Sequence, residues 1–122
     1  MSDARPGVAV GHVFMEARPV REAVARLEAI GVRPIVVRDA FAVLELRGGT
    51  HIVVREAKDD AVHEVSFDLM VDGIEEGEAR FRAAGFETTA IERGRIHASF
   101  TATAPERFRV RVNDSHAGTR PV

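Results

Sequence analysis

The feature that most constrains how this chain folds is an internal repeat. Gly31 and Gly85 set its spacing (85 − 31 = 54), because each stands where a glycine ends a predicted helix. Two alanine-rich helices can match by chance, but the order of the predicted elements matches as well. Two copies are too few for a solenoid, so the repeat predicts two units related by a pseudo-twofold axis. Under the offset, Glu22, Ala25, Arg26 and Ala29 fall on Glu76, Ala79, Arg80 and Ala83.

The first unit is predicted to occupy residues 8–57. A β-rich segment comes first (8–17), and Pro19, a residue suited to a first helical turn, separates it from a helix. Apolar residues recur at helical spacing through this helix, which ends at Gly31. Three short β-rich segments then complete the unit, at 34–38, 40–47 and 51–56.

The second unit is predicted at residues 63–113 and repeats this order. A strand (64–71) leads to Asp72 and Glu75, whose spacing predicts a capping box, and then to a helix that ends at Gly85. With a C-terminal tail at 114–122, we expect residues 1–122 to form one domain. The last three strands of the second unit are predicted at 86–91, 95–103 and 108–112.

Charge and composition exclude several partners and chemistries. The 17 basic and 19 acidic residues form no long run of one sign and sum to a net charge of −2, which does not suit nucleic acid. The absence of cysteine excludes disulfides, thiolate metal sites and a cysteine nucleophile. No stretch resembles a signal peptide or reaches transmembrane length, so we predict a cytoplasmic protein without a nucleic-acid or membrane partner.

Alternation along the predicted strands separates an apolar face, which covers a helix, from a second face that we call the polar face. In the first strand, Val13, Met15 and Ala17 belong to the apolar face. The polar face is either a solvated sheet surface or the lining of a concave cleft. It holds His12, Phe14, Glu16, His51, Val53, Arg55, Glu64, Ser66, Asp68, Met70, His97, Ser99, Thr101, Thr103, Arg107, Arg109 and Arg111.

Two βαβββ units, the segment 11–16 with sequence GHVFME, and Pro105 shortly before the last strand together resemble the vicinal oxygen chelate superfamily. This group contains glyoxalases, bleomycin-resistance proteins and extradiol dioxygenases, and the resemblance spans residues 8–113. It implies an α+β fold in which curved sheets of two tandem units form a cleft. It also implies a homodimer.

Enzymes of that superfamily hold one divalent metal through a histidine or similar ligand on the first strand of each unit and a carboxylate on the last strand. Here His12 stands at the first position, but its repeat partner is Ser66, and Arg111 stands where the carboxylate is expected. Val53 occupies the corresponding position of the first unit. We therefore predict no resident cofactor. If a divalent metal is bound, its ligands are expected to be His12 and His51. A different ligand set remains open, formed by His12, His51, His97 and Glu16.

Three functions are compatible with these residues. Arg109 and Arg111, with Arg107 at the rim, favour anionic ligands, unless Glu16, Asp68 or Glu64 pairs with them structurally. The incomplete ligand set favours a metal-free protein that binds a small molecule over an enzyme. The alternatives are a metal-dependent lyase, isomerase or dioxygenase, in which Glu16 would move a proton, and a non-catalytic structural or regulatory subunit. The candidate binding residues are His12, Phe14, Glu16, His51, Ser66, Asp68, His97, Arg109 and Arg111.

Overall fold

Both predicted units are present in the computed structural model, which describes residues 5–115 and 118–122. The two helices begin 54 residues apart (74 − 20 = 54), which confirms the offset of the repeat. His116 and Ala117, in the predicted tail, lie outside the described residues. The first unit consists of β1 (His12–Ala17), α1 (Val20–Ala29), β2 (Arg33–Val37), β3 (Phe41–Glu45) and β4 (His51–Glu56). The second consists of β5 (His63–Met70), α2 (Ile74–Ala83), β6 (Glu87–Thr88), β7 (Glu92–Arg93), β8 (Ala98–Thr103) and β9 (Phe108–Asn113).

Each unit forms one mixed sheet in which the first strand lies beside the last. The order in the first sheet is β1-β4-β3-β2, and β1 runs parallel to β4. The order in the second is β5-β9-β8-β6, with β5 parallel to β9 and with β7 paired to β8. The two sheets meet where β1 contacts β5. Two helices on two mixed sheets agree with the predicted α+β class.

Both helices end in the same backbone motif. After α1, the Val32 N–H donates to Leu27 O and the Gly31 N–H donates to Glu28 O. After α2, Phe86 and Gly85 make the corresponding bonds to Phe81 and Arg82. The glycines take φ values of +110° and +94°, a left-handed conformation that costs residues with a Cβ free energy. The two glycines that define the repeat are therefore required by the same local geometry.

The second unit differs from its prediction in two places. The predicted capping box is wrong, because Gly73 caps α2 without a side-chain hydrogen bond and Asp72 pairs with Arg47 instead. The strand predicted at 86–91 is reduced to β6 at Glu87–Thr88, and β7 at Glu92–Arg93 lies beyond its predicted end. Between them, Thr89 Oγ1 accepts the Thr101 N–H at 2.9 Å, so a side chain replaces a backbone partner in the ladder.

One hydrophobic core joins the two units. Met15, Leu27, Ile52, Phe81 and Phe108 all belong to it. Burial follows the predicted alternation in β1, where Met15 and Ala17 are buried and the polar-face residues are exposed. Ile96, which lies within the strand predicted at 95–103, precedes β8 and is exposed. Within the described residues, no helix has the length and apolar character needed to cross a membrane.

Candidate functional site

The polar face of the first sheet places His12 directly beside His51. The two residues are opposite each other in the parallel β1–β4 pair, and their ring centroids are 5.6 Å apart. His51 Nε2 lies 3.2 Å from Glu45 Oε2 on β3. Glu45 also accepts a hydrogen bond from Arg33, which is the main reason that the pKa of Glu45 lies below its usual range. Glu45 is therefore a carboxylate already engaged by a cation.

Phe14 and Glu16 continue the polar face along β1. Arg55 lies with its Cζ 4.9 Å from the centre of the Phe14 ring, a cation–π distance. Glu16 Oε1 lies 3.8 Å from Nε2 of His63, and this imidazole also lies 3.0 Å from Asp59 Oδ1. Phe14 is half exposed, so the face offers an aromatic surface with a cation at its edge.

Arg109 and Arg111 lie two residues apart on β9 and line the same cavity. Arg109 Nη1 is 3.3 Å from Glu64 Oε1, and its Nε donates to Thr103 Oγ1 at 3.1 Å. Arg111 donates to Ser99 Oγ at 3.0 Å, and within the described part of the chain no carboxylate is in ion-pair range of it. The cavity has a volume of about 280 Å³. Its lining consists of Glu64, Val65, Phe67, Thr101, Arg109 and Arg111.

Asp68 faces Arg111 in the strand register but does not form an ion pair with it. It accepts a hydrogen bond from Asn113 Nδ2 at 2.9 Å. Ser66 lies where the register shifts, because three residues of β5 oppose one residue of β9 between the Glu64 and Asp68 pairs. A second cavity, of about 210 Å³, lies between β1 and β5 and is lined by Phe14, Glu16, His63, Glu64 and Ser66 among others.

His97 is apart from the histidine pair of the first sheet. It precedes β8 and accepts the Gly94 N–H with its backbone oxygen at 2.8 Å. Its Nδ1 lies 3.1 Å from Ser115 Oγ, so the imidazole is tied to the segment that follows β9. Within residues 5–115 and 118–122, no contact connects His97 with His12 or His51.

The residues at the expected ligand positions do not fit a divalent metal. Phe14 is opposite Val53 in the first unit, and Asp68 is opposite Arg111 in the second, so the two repeats place a valine and a cation at the last-strand positions. The described residues contain no group of three or more His, Asp or Glu side chains that could hold a metal ion. His12 and His51 alone fall short of the three or four protein ligands that such sites use.

Two residues that contact side chains of this face, Glu45 and His63, are not predicted from the sequence. The available signal for Glu45 was alternation, because Phe41 and Val43 share its face while Ala42 and Leu44 are buried. For His63 there was no local signal. It begins β5 one residue before the predicted strand, and its approach to Glu16 depends on how the two units pack.

No protein-family profile and no curated protein sequence matches this chain. Solved structures with the same architecture do. A lactoylglutathione lyase from Agrobacterium tumefaciens superposes with a TM-score of 0.73 at 14% identity, covering 95% of this chain and 100% of that one. A fosfomycin resistance protein from Listeria monocytogenes gives 0.73 at 16% identity, covering 89% and 92%. A bleomycin-binding protein from Streptomyces verticillus, complexed with copper(II)-bleomycin, gives 0.70 at 13% identity, covering 92% and 100%.

These similarities extend over nearly the whole of each chain, whereas the sequence identities are low. They therefore establish architecture and not activity. The expected resemblance is confirmed at the level of the fold. The chain has the fold of these glyoxalase-like and bleomycin-binding structures.

Proposed function

We propose that this chain binds a small anionic molecule on its polar face, without a resident metal, as a homodimer. One observation carries the proposal: the Arg111 guanidinium lines a cavity of about 280 Å³ and has no carboxylate partner among the described residues. An arginine with open donors favours a carboxylate or phosphate group, which it binds through charge-assisted, bidentate hydrogen bonds. The cavity is near the lower end of the volumes that small-molecule sites occupy, so the ligand is small.

Arg109 supplies a second cation for the same ligand. Its side chain is 41% exposed and that of its partner Glu64 is 74% exposed. An ion pair this exposed contributes about 0–1 kcal/mol, so an incoming anion can displace Glu64 at little cost. Two guanidinium groups on one strand suit a ligand with two negative charges.

Exposed apolar side chains on the polar face support self-association. Phe14, Phe41 and Met70 lie on β1, β3 and β5, and each is more than 40% exposed. Apolar groups that remain exposed in a folded chain are typical of interaction surfaces. A second copy that covered them would also close the cavities of the polar face. A cytoplasmic location stays a prediction from the sequence.

The proposal is tested by titrating the chain with malonate and phosphate, with malonamide as the uncharged control, by calorimetry and thermal shift. Arg111→Gln should weaken binding of the anions by about 10- to 100-fold, the value of a lost charged hydrogen bond. The control variant is Arg21→Gln, because the ion pair of Arg21 with Asp39 lies on the exposed surface. Equal affinity of wild type and Arg111→Gln would contradict the proposal.

Two further measurements separate the alternatives. Near-stoichiometric metal in protein purified without chelator, lost in His12→Ala, would favour the metal-dependent enzyme over the metal-free binding protein. If no small anion raises the melting temperature, the polar face is better explained as that of a structural or regulatory subunit. Light scattering of wild type and Phe14→Asp tests the homodimer, whose mass should fall by half in the variant.

A further inference from the structure

The internal repeat places an arginine at the same position of both helices, but only one of the two has a carboxylate partner. Arg26 on α1 donates through Nε and Nη2 to the two carboxylate oxygens of Glu106, both at 2.7 Å. Its Nη1 donates to Ala84 O, also at 2.7 Å. The Glu106 side chain is only 4% exposed, so this pair is an internal part of the fold. The repeat places Arg80 at the equivalent position of α2 (80 − 26 = 54).

The position equivalent to Glu106 holds no carboxylate. The β3–β4 and β8–β9 turns have the same two backbone hydrogen bonds, shifted by 58 residues. This match places Gly48 where Glu106 stands in the other unit (106 − 48 = 58). In the β3–β4 turn, Leu46 N–H donates to Thr50 O and Gly49 N–H donates to Leu46 O. In the β8–β9 turn, the corresponding bonds run from Ala104 N–H to Phe108 O and from Arg107 N–H to Ala104 O.

The Arg80 side chain accordingly has no protein partner in residues 5–115 and 118–122, where its guanidinium forms neither a hydrogen bond nor an ion pair. Its guanidinium lies over the end of α1: a Cβ added at Gly31 would be 3.8 Å from Arg80 Nη2. Arg26 lies in the same way over Gly85 at the end of α2. Arg80 therefore keeps the placement of its counterpart, but its donors remain open.

A cavity of about 310 Å³ lies beside Arg80, between the end of α1 and the start of α2. Arg47, the second cation there, is paired with Asp72 at 3.1 Å. Glu76 lines the adjoining cavity but is outside ion-pair range of Arg80. One guanidinium is thus left without a counter-charge. The apolar wall of the cavity is formed by Val32, Leu46, Leu69, Val71 and Phe81.

We infer that this cavity is a second binding site, for a small monocarboxylate with an apolar body. The carboxylate of the ligand pairs with Arg80 as Glu106 pairs with Arg26. A single negative charge is expected because only one guanidinium lacks a partner, and an apolar body is expected because the wall is apolar. The site is separate from the cavity at Arg109 and Arg111 and does not depend on the function proposed for that cavity.

The test is an NMR titration of the full, ¹⁵N-labelled chain with hexanoate and benzoate, with hexanamide and benzamide as uncharged controls. The carboxylates should shift the backbone amides of Gly31, Leu46 and Val71, which surround the cavity. Arg80→Gln should weaken this binding by at least about tenfold and leave the melting temperature unchanged. Arg82→Gln, on the same helix, is the matched control and should bind within about twofold of wild type, because Arg82 pairs with Glu78 away from the cavity.

Four outcomes would overturn the inference. The amides bind as tightly as the carboxylates, or Arg80→Gln binds like the wild type. Alternatively, neither carboxylate gives saturable shifts at millimolar concentration. Finally, the shifts may be confined to residues around Thr101 and Arg109, which would assign the carboxylates to the other cavity.

Discussion

Arg26 and Glu106 join the two units of the chain through a bidentate ion pair. Arg26 belongs to α1 of the first unit, and Glu106 lies in the turn between β8 and β9 of the second. The Glu106 side chain is 4% exposed and that of Arg26 is 23% exposed. The pair raises the pKa of Arg26, mainly through its hydrogen bond with Glu106. Breaking the pair would leave a carboxylate in the interior without a partner.

The first prediction concerns this pair. Arg26→Met should lower the free energy of unfolding by about 3 kcal/mol, because it leaves the buried Glu106 charge uncompensated. The double variant Arg26→Met/Glu106→Leu should recover most of the loss, since no buried charge is left. Arg21→Met, which removes an exposed pair with Asp39, should cost less than about 1 kcal/mol. Urea denaturation measures all three. A double variant as unstable as Arg26→Met would contradict the explanation.

The second prediction compares the two helix-ending glycines. Gly31→Ala and Gly85→Ala both force a Cβ into a left-handed conformation, at about 1–2 kcal/mol each. At Gly85 the new Cβ would also come within 2.4 Å of Arg26 Nη1, whereas at Gly31 the nearest atom of Arg80 is 3.8 Å away. Gly85→Ala should therefore lower the free energy of unfolding by about 1 kcal/mol more than Gly31→Ala.

The excess should vanish in the Arg26→Met/Glu106→Leu background, where the clashing guanidinium is absent. If Gly31→Ala and Gly85→Ala lowered the free energy of unfolding equally in the wild-type background, the prediction would be wrong. The Arg26 side chain would then move away from the added methyl group at no cost in stability.

The third prediction concerns acid stability. Hydrogen bonds from Arg82 and Thr88 lower the pKa of Glu78 to about 2. Because this lies below the value of about 4.3 in an unfolded chain, the stabilisation is fully present above that pH and is lost as the pH falls towards 2. Glu78→Gln should cost about 1 kcal/mol at neutral pH and progressively less below pH 4 or so. Urea denaturation at several pH values measures this difference; one that does not change with pH would contradict it.

Local patterns predicted the elements that depend on local geometry. The helices and their glycine ends follow from helical periodicity and from the φ that the ending motif requires, and β4 was predicted at residues 51–56. The end of β6 at Thr88 is not predicted from the sequence, because the next residue pairs through a hydrogen bond from the Thr101 N–H to Thr89 Oγ1, a contact between two different strand segments. The predicted capping box is absent for a similar reason: Asp72 pairs with Arg47 of the other unit, a contact that no local pattern contains.

For the candidate site, alternation was enough to assign residues to a face but not to assign partners. Glu16 is one of the three carboxylates that the sequence offers as partners of Arg109 and Arg111, but its Oε1 lies 3.8 Å from His63 Nε2. Glu64, the second of these carboxylates, does pair with Arg109. Asp68, the third, accepts a hydrogen bond from Asn113 instead. These choices depend on strand register and on the packing of the two units, which no local sequence pattern contains. The roles of the site residues stay predictions.

The last prediction uses the repeat to test packing between a strand end and a helix. In the second unit, a Cβ added at Gly77 would lie 2.7 Å from Val71 Cγ2. The offset of 54 equates Val71 with Ala17 and Gly77 with Ala23, and both alanines are fully buried. At these two positions the first unit has two alanines, whereas the second unit has a larger residue, Val71, and a smaller one, Gly77.

Gly77→Ala alone should destabilise the chain by about 1–2 kcal/mol, because overpacking against Val71 outweighs the better helix propensity of alanine. In the Val71→Ala background the same change should stabilise by about 1 kcal/mol, because the clash is gone and the propensity gain remains. Thermal and urea unfolding of the four proteins of this cycle measures the two effects. The change of sign is the decisive result: a Gly77→Ala effect of the same sign and size in both backgrounds would mean that Val71 does not determine why a glycine stands in the first turn of α2.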